Sequence, residues 1–246
     1  MNKFPGIVAL LIVVIGGWWI MKNGSPAEAK GRVVVAITDA AADMGAVNSI
    51  SMKVSGVKLH STTDVWVDVG GSATVDLLQL KASGEFALLV AADVAAGTYD
   101  QVRVMVDEVT VTTTDGTTAS AKVPSGEFKM MGDVVVAEGE TSSISLDFLA
   151  DVSLHMTGKG EYIFAPVVHM ENRSNAIVEV SANNTVTIEG GAISSNETHG
   201  MDASGEVRQD FRLDTSAGVE IKDGKIETSS GAKVKVEGGV NINTNI

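Results

Sequence analysis

LLVAADVAAGTYDQVRVMVDEVTV, residues 88–111, holds two apolar runs joined by Ala95-Ala96-Gly97-Thr98-Tyr99. Beyond the glycine, Val102, Val104 and Val106 alternate with Arg103, Met105 and Asp107. A period of two places the valines on one face of a strand. Val109 and Val111 resume on the opposite parity, and a bulge near Asp107-Glu108 restores their facing. Gly97 suits a chain reversal, because it tolerates a positive φ that other residues resist. Tyr99 is expected to lay its ring on the core and to bond backbone at the corner through its hydroxyl.

Upstream, residues 32–38 (RVVVAIT) are apolar on both faces, which predicts a central strand. Ile50, Met52 and Val54 alternate with polar residues, and Val57 and Leu59 continue on the other parity past Ser55-Gly56, a second bulge. Val65, Val67 and Val69 form a strand from which Trp66 faces the other way. Leu77-Leu78-Gln79-Leu80 fits a helical turn or a short strand. Downstream, Asp115-Gly116 predicts a hairpin with a type I′ turn, positive φ at both residues. Val134–Val136, Ile144–Phe148 and Val152–Met156 read as strands, the second with Ser143, Ser145 and Asp147 on a wet face. Tyr162, Phe164, Val168 and Met170 share one face of a last strand, which Pro166 assigns to a sheet edge. About nine short strands with turns between them predict an all-β sandwich.

The length of 246 residues suits one large or two small domains. A formal charge of −13, from 18 basic and 31 acidic residues, comes with no basic run. That excludes nucleic acid and an anionic membrane surface as partners. With no cysteine, disulfides, thiolate metal sites and cysteine nucleophiles are excluded, and no cofactor is expected.

Residues 4–21 are uncharged and apolar. As a helix they reach about 27 Å, against a hydrocarbon core of about 30 Å. Trp18 and Trp19 fit the interfacial belt of a membrane anchor. Ala27-Glu28-Ala29 fits the cleavage site of a signal peptide. Either way residues 1–21 direct export, 22–30 form a linker, and the rest is extracytoplasmic, touching membrane only through that helix. Residues 31–173 are expected to fold on their own. The stretch 174–246, rich in Asn, Ser, Thr and Gly, reads as a small β module or extension. It carries hairpin signals at Val186–Glu189 with Gly190-Gly191 and at Val219–Lys222 with Asp223-Gly224, and one more strand at Val234 and Val236. Its short strands are expected to pair with an exposed sandwich edge, in the same chain or a neighbour's.

The segments GRVVVAITDA, SISMKVSGVKLH, VDLLQL, AAGTYDQVRVMV, VPSGEF, TSSISLDFLADVS and YIFAPVVHM occur in this order. In this respect residues 31–173 resemble the bacterial and archaeal family known as domain of unknown function 4382. The resemblance implies an extracytoplasmic β-sandwich of the transthyretin-like or immunoglobulin-like kind. It implies no activity and no catalytic residue. The family's opening motif often has proline where Ala41 stands, so the following loop is expected to differ.

Several residues invite a chemical reading. Asp39, Asp43 and Asn48 could offer calcium oxygen ligands from one loop, but no Asp-x-Asp-x-Asp-Gly pattern accompanies them, and Asp39 equally suits a cap. His60, His155, His169 and His199 are scattered, with only His155 and His169 placed to approach across neighbouring strands. Asp147 with Asp151, or Asp107 with Glu108, could pair for glycoside cleavage, or remain solvated charges. Asn23, Asn172, Asn183 and Asn196 lie in Asn-x-Ser/Thr sequons that this composition yields by chance. Trp66 is the candidate ligand surface, either as a sugar-stacking platform or as filler of a second core face. The function expected from these features is a non-enzymatic cell-envelope module for binding, adhesion or assembly, with an envelope protein or glycan as partner. A carbohydrate-binding module and a carboxylate hydrolase are the alternatives.

Overall fold

A computed structural model describes residues 28–39, 44–215, 218–228 and 235–236. In chain order the strands are β1 Lys30–Thr38, β2 Val47–Ser61, β3 Val65–Gly70, β4 Ala73–Asp76, β5 Phe86–Ala95, β6 Gly97–Thr113, β7 Thr118–Lys122 and β8 Glu127–Val136. There follow β9 Thr141–Phe148, β10 Leu154–Met156, β11 Tyr162–Phe164, β12 Val167–Ser174, β13 Ile177–Val180, β14 Thr185–Glu189, β15 Ala192–Met201 and β16 Val207–Gln209. Short pieces close the chain: β17 Phe211–Arg212, β18 Val219–Lys222, β19 Lys225–Thr228 and β20 Lys235–Val236. The first sheet has the order β13-β14-β5-β1-β9-β12-β15-β16. The second runs β10-β11-β7-β6-β2-β3, with β4 also beside β2 and β8 beside β6. One apolar core draws on both sheets, taking Val35 and Leu146 from the first and Met52, Val104 and Phe128 from the second. The protein is therefore all-β and sandwich-like.

Residues 88–111 form the corner between the sheets. β5 and β6 lie in different sheets with only Ala96 between them. Tyr99 is buried, and its hydroxyl donates to the Ala95 carbonyl at 2.8 Å. Gly97 takes a positive φ, 157°, a backbone conformation that residues with a Cβ rarely adopt, so the crossover does use the glycine. Both expected bulges are present. Lys53 pairs with Glu108 and Val54 with Val106, which leaves Asp107 as the extra residue. On the facing strand Val54 and Gly56 pair with consecutive partners, leaving Ser55 extra, and its hydroxyl donates to Asp107 Oδ1 at 2.6 Å. The two irregularities thus compensate each other, and the buried face continues on both strands.

β1 is central and closed on both faces. Val33, Val35 and Ile37 enter the main core, while Val34 and Ala36 are equally buried on the outer side. Val178, Val186 and Ile188, from β13 and β14, pack against these two residues. The hairpin is held at both flanks of the sheet: Ala176 N donates to Thr141 O, and Leu88 N donates to Asn184 O. β15 pairs along β12, and the Ser194 hydroxyl donates to Asp133 O of β8 at 2.7 Å. Asn172, fully buried, donates to Ser195 Oγ at 2.7 Å and to Asp133 O at 3.3 Å. Strands after residue 173 are thus built into the sheet that begins with β1.

Local expectations change where side chains or crossovers intervene. Residues 77–80 belong to a helix, Leu77–Ser83, because Asp76 Oδ1 accepts from Leu78 N and Gln79 N and Gly84 at φ 67° closes the C-terminus. Only Gly116, not Asp115, takes a positive φ, so the turn there is not type I′. Asp115 instead accepts from Thr113 Oγ1 and Thr117 N, and Thr113 N donates to Thr117 O across a longer loop. Asp223 and Gly224 do both adopt positive φ, between the paired β18 and β19. Tyr162–Met170 is not one edge strand. Pro166 marks the passage from β11 in the second sheet to β12 inside the first, and its carbonyl accepts from Met201 N. Residues 150–153 form a single helical turn, which breaks the strand expected over Val152–Met156. Ser143 is buried rather than wet. Gly190-Gly191 links β14 to β15, which pair with other strands and not with each other. No helix among the described residues is long and apolar enough to cross a membrane, and the segment 4–21 with its two tryptophans lies outside them.

Candidate functional site

The outer face of the second sheet carries Trp66. β3 pairs with β2, β2 with β6, and β6 with β8, so residues in register form rows across four strands. One row is Trp66, His60, Gln101 and Met131. The next is Asp68, Lys58, Arg103 and Lys129. Trp66 and Met131, at the two ends of the first row, are 41% and 51% exposed. Trp66 therefore does not fill a second core face. Because side chains on one strand alternate, the valines at 65, 67 and 69 leave Trp66 on the outer side.

The ring is fixed in place. The Arg103 guanidinium lies 4.1 Å from its centroid, a cation–π contact, and the His60 ring is 4.7 Å away at a tilt of 49°. Arg103 Nη1 is held by Glu127 at 3.1 Å, and Lys129 joins the same carboxylate at 3.7 Å. His60 is gripped from both ring nitrogens, by Asp100 at 2.7 Å and Asp64 at 3.2 Å. The Asp100 hydrogen bond above all, with Asp64 adding to it, holds the imidazole above its ordinary pKa despite opposing desolvation. Lys58 reaches Asp68 at 3.9 Å, so all four cationic groups around the ring have carboxylate partners. Gln101 Nε2 donates to Met131 Sδ at 3.0 Å, which leaves its carbonyl oxygen available as an acceptor.

The other candidates are not brought together. Asp39 is buried and accepts from Ala150 N at 3.2 Å, a capping role; Asp43 lies outside the described residues. His155 and His169 belong to different sheets. His169 Nδ1 is 3.1 Å from Thr198 Oγ1, and His199 is buried, with its pKa pushed down by that burial. No group of three metal-ligating side chains occurs among the described residues. Asp107 pairs with Lys53 at 3.6 Å, and Glu108 is exposed. Asp151 lines an open cleft of about 400 Å³ with His155, Arg212, Asp214 and Thr215, while Asp147 is not among its walls. Burial pushes His155 down to about 4 against the Asp214 charge. Its Nε2 is buried, and its Nδ1 lies 3.5 Å from Thr215 Oγ1, another residue of the cleft wall. Of the sequons, Asn172 is buried within the sheet, and Asn183 and Asn196 are exposed.

Fold and surface together define an all-β, sandwich-like domain with a partly exposed tryptophan on the outer face of its second sheet. The chain belongs to the family described as Domain of unknown function (DUF4382), whose model matches residues 30–166. No curated protein and no solved structure matches it.

Proposed function

We propose that the chain is a non-enzymatic, extracytoplasmic binding module, a sandwich of the transthyretin-like or immunoglobulin-like kind. Its working surface is the outer face of the second sheet around Trp66. The observation that carries this reading is the exposure of a large aromatic ring already fixed by Arg103 and His60. A ring fixed before binding loses little conformational freedom on contact, so its apolar area converts efficiently into affinity. Export is supported by the apolar segment 4–21 and its two alternative readings as anchor or signal. An alkaline phosphatase fusion after Gly31 tests it: activity is expected, and an inactive fusion overturns export. Binding is tested by sedimenting the full chain with cell-envelope fragments stripped of lipid by detergent. Wild type should pellet with the fragments and Trp66→Ala should stay in solution. Equal pelleting of the two proteins overturns the assignment of the surface.

A further inference from the structure

We infer that the ligand of this surface is a neutral polysaccharide lying across the strands, from Trp66 over His60 and Gln101 to Met131. This rests on the binding-module reading above and adds to it the chemistry of the ligand. The first argument is shape. The row is spread over four adjacent strands, three spacings or about 14 Å, which is the reach of a short oligosaccharide.

The second argument is the mixture of groups along the row. A pyranose has an apolar C–H face and a rim of hydroxyls that both donate and accept. Trp66 supplies an apolar plate, the Gln101 carbonyl an acceptor, and Met131 a second apolar contact. Asp100 and Asp64, which hold His60 by its two ring nitrogens, add carboxylate acceptors beside it. A protein partner would instead call for a contiguous apolar patch at the centre of the contact. Here the exposed apolar side chains of this face, Trp66, Met131 and Val135, are interrupted by His60, Gln101 and the ion pairs.

The third argument is charge. Lys58, His60, Arg103 and Lys129 are each already matched by a carboxylate, and the chain carries −13 overall. An anionic polymer would have to displace those partners and approach a like-charged molecule. A neutral one meets no such cost, and hydrogen bonds from groups already in ion pairs are the stronger kind.

Affinity electrophoresis of the full chain tests the inference. The probes are soluble neutral polysaccharides, namely a β-glucan, a mannan, a galactan and a xylan, with alginate and hyaluronan as anionic controls. At least one neutral polymer should retard wild type and the anionic ones should not. Trp66→Ala should weaken that retardation by roughly tenfold or more, Gln101→Ala should weaken it less, and Trp66→Phe should restore part of it. An unchanged thermal midpoint for each variant assigns the loss to the surface. The inference is overturned if no neutral polymer retards the protein, if alginate or hyaluronan does so more strongly, or if Trp66→Ala behaves as wild type. If Trp66→Ala loses envelope pelleting while no polysaccharide binds, the surface stands and only the sugar assignment falls.

Discussion

The two sheets share one core yet differ on their outer faces. On the first sheet the outer face is apolar at Val34 and Ala36, and the β13–β14 hairpin closes it. On the second sheet the outer face alternates ion pairs with isolated apolar groups, and none of the described strands covers Trp66. The residues matched by the family, 30–166, contribute only β5, β1 and β9 to the first sheet but the second sheet entire. The remainder of the chain flanks that three-stranded sheet on both sides, with β14 beside β5 and β12 beside β9. An apolar face left by the family region is thus closed within the molecule, whereas an amphipathic one stays open. That difference separates a surface serving stability from one available for recognition.

Removal of residues 175–246 should break the comparison most severely. It strips Val178, Val186 and Ile188 from Val34 and Ala36 and removes β15 from β12. Each fully buried aliphatic side chain is worth about 1.5–3 kcal/mol, so the loss should exceed about 5 kcal/mol, comparable to a whole domain's stability. Calorimetry should then find no cooperative transition at the wild-type temperature. A truncated protein that melts like the full chain would instead bear out residues 31–173 as a unit that folds on its own.

A pair of substitutions gives a sharper contrast. Val34→Asp places an unpaired charge in the closed layer and should cost about 3 kcal/mol or more. Gln101→Asp, on the open face, should stay within about 0.5 kcal/mol. Urea denaturation of both variants reads the difference directly. Similar losses for the two would mean that the outer faces are not distinct.

Acid should destabilise the protein through its buried imidazoles. His155 is held at about 4 and His199 is lowered as well, both by burial. The unfolded chain therefore binds more protons than the folded one below the ordinary value of 6.5. The contribution is intact above pH 6.5 and is lost as pH falls through the folded value near 4. His155→Gln should flatten the decline of the thermal midpoint over that window. A wild-type midpoint that does not fall between pH 6.5 and 4 would contradict the assignment.

Much of this architecture is legible in the sequence. Alternating valines locate β6, the doubly apolar RVVVAIT locates a central β1, and each parity change marks a bulge. These features follow from a two-residue period and a buried face, which are local properties. Pro166 misleads because a missing donor suits a crossover as well as an edge, and only long-range pairing distinguishes them. Asp115-Gly116 misleads because the Asp115 carboxylate takes up neighbouring donors and selects another turn. Trp66 could be read from sequence as facing away from its valines, but not as exposed. That depends on what covers the sheet, and the covering hairpin belongs to the other face. The Arg103 and Glu127 supports of the ring are distant in sequence, and His60, just across the β2–β3 turn, carries no motif that marks it.

The smallest effect concerns His60 alone. Its folded pKa is raised by Asp100 and Asp64, so the charged tie is fully present below 6.5 and is lost as pH rises through the folded value. Proton NMR titration should place the His60 midpoint above 6.5, and Asp100→Asn should bring it down. A midpoint at or below 6.5 in wild type would mean that the ring's neighbour is not held as described.

The measurement closest to the central claim is hydroxyl-radical footprinting of the full chain, alone and with detergent-stripped envelope fragments. Alone, Trp66 and Met131 should oxidise readily while Met170, buried in the core, should not. With the fragments, Trp66 and Met131 should become protected, and Ile177 and Val180 on the free edge of β13 should not change. Protection of Ile177 and Val180 with Trp66 still oxidised would contradict the account and move the binding surface to the first sheet.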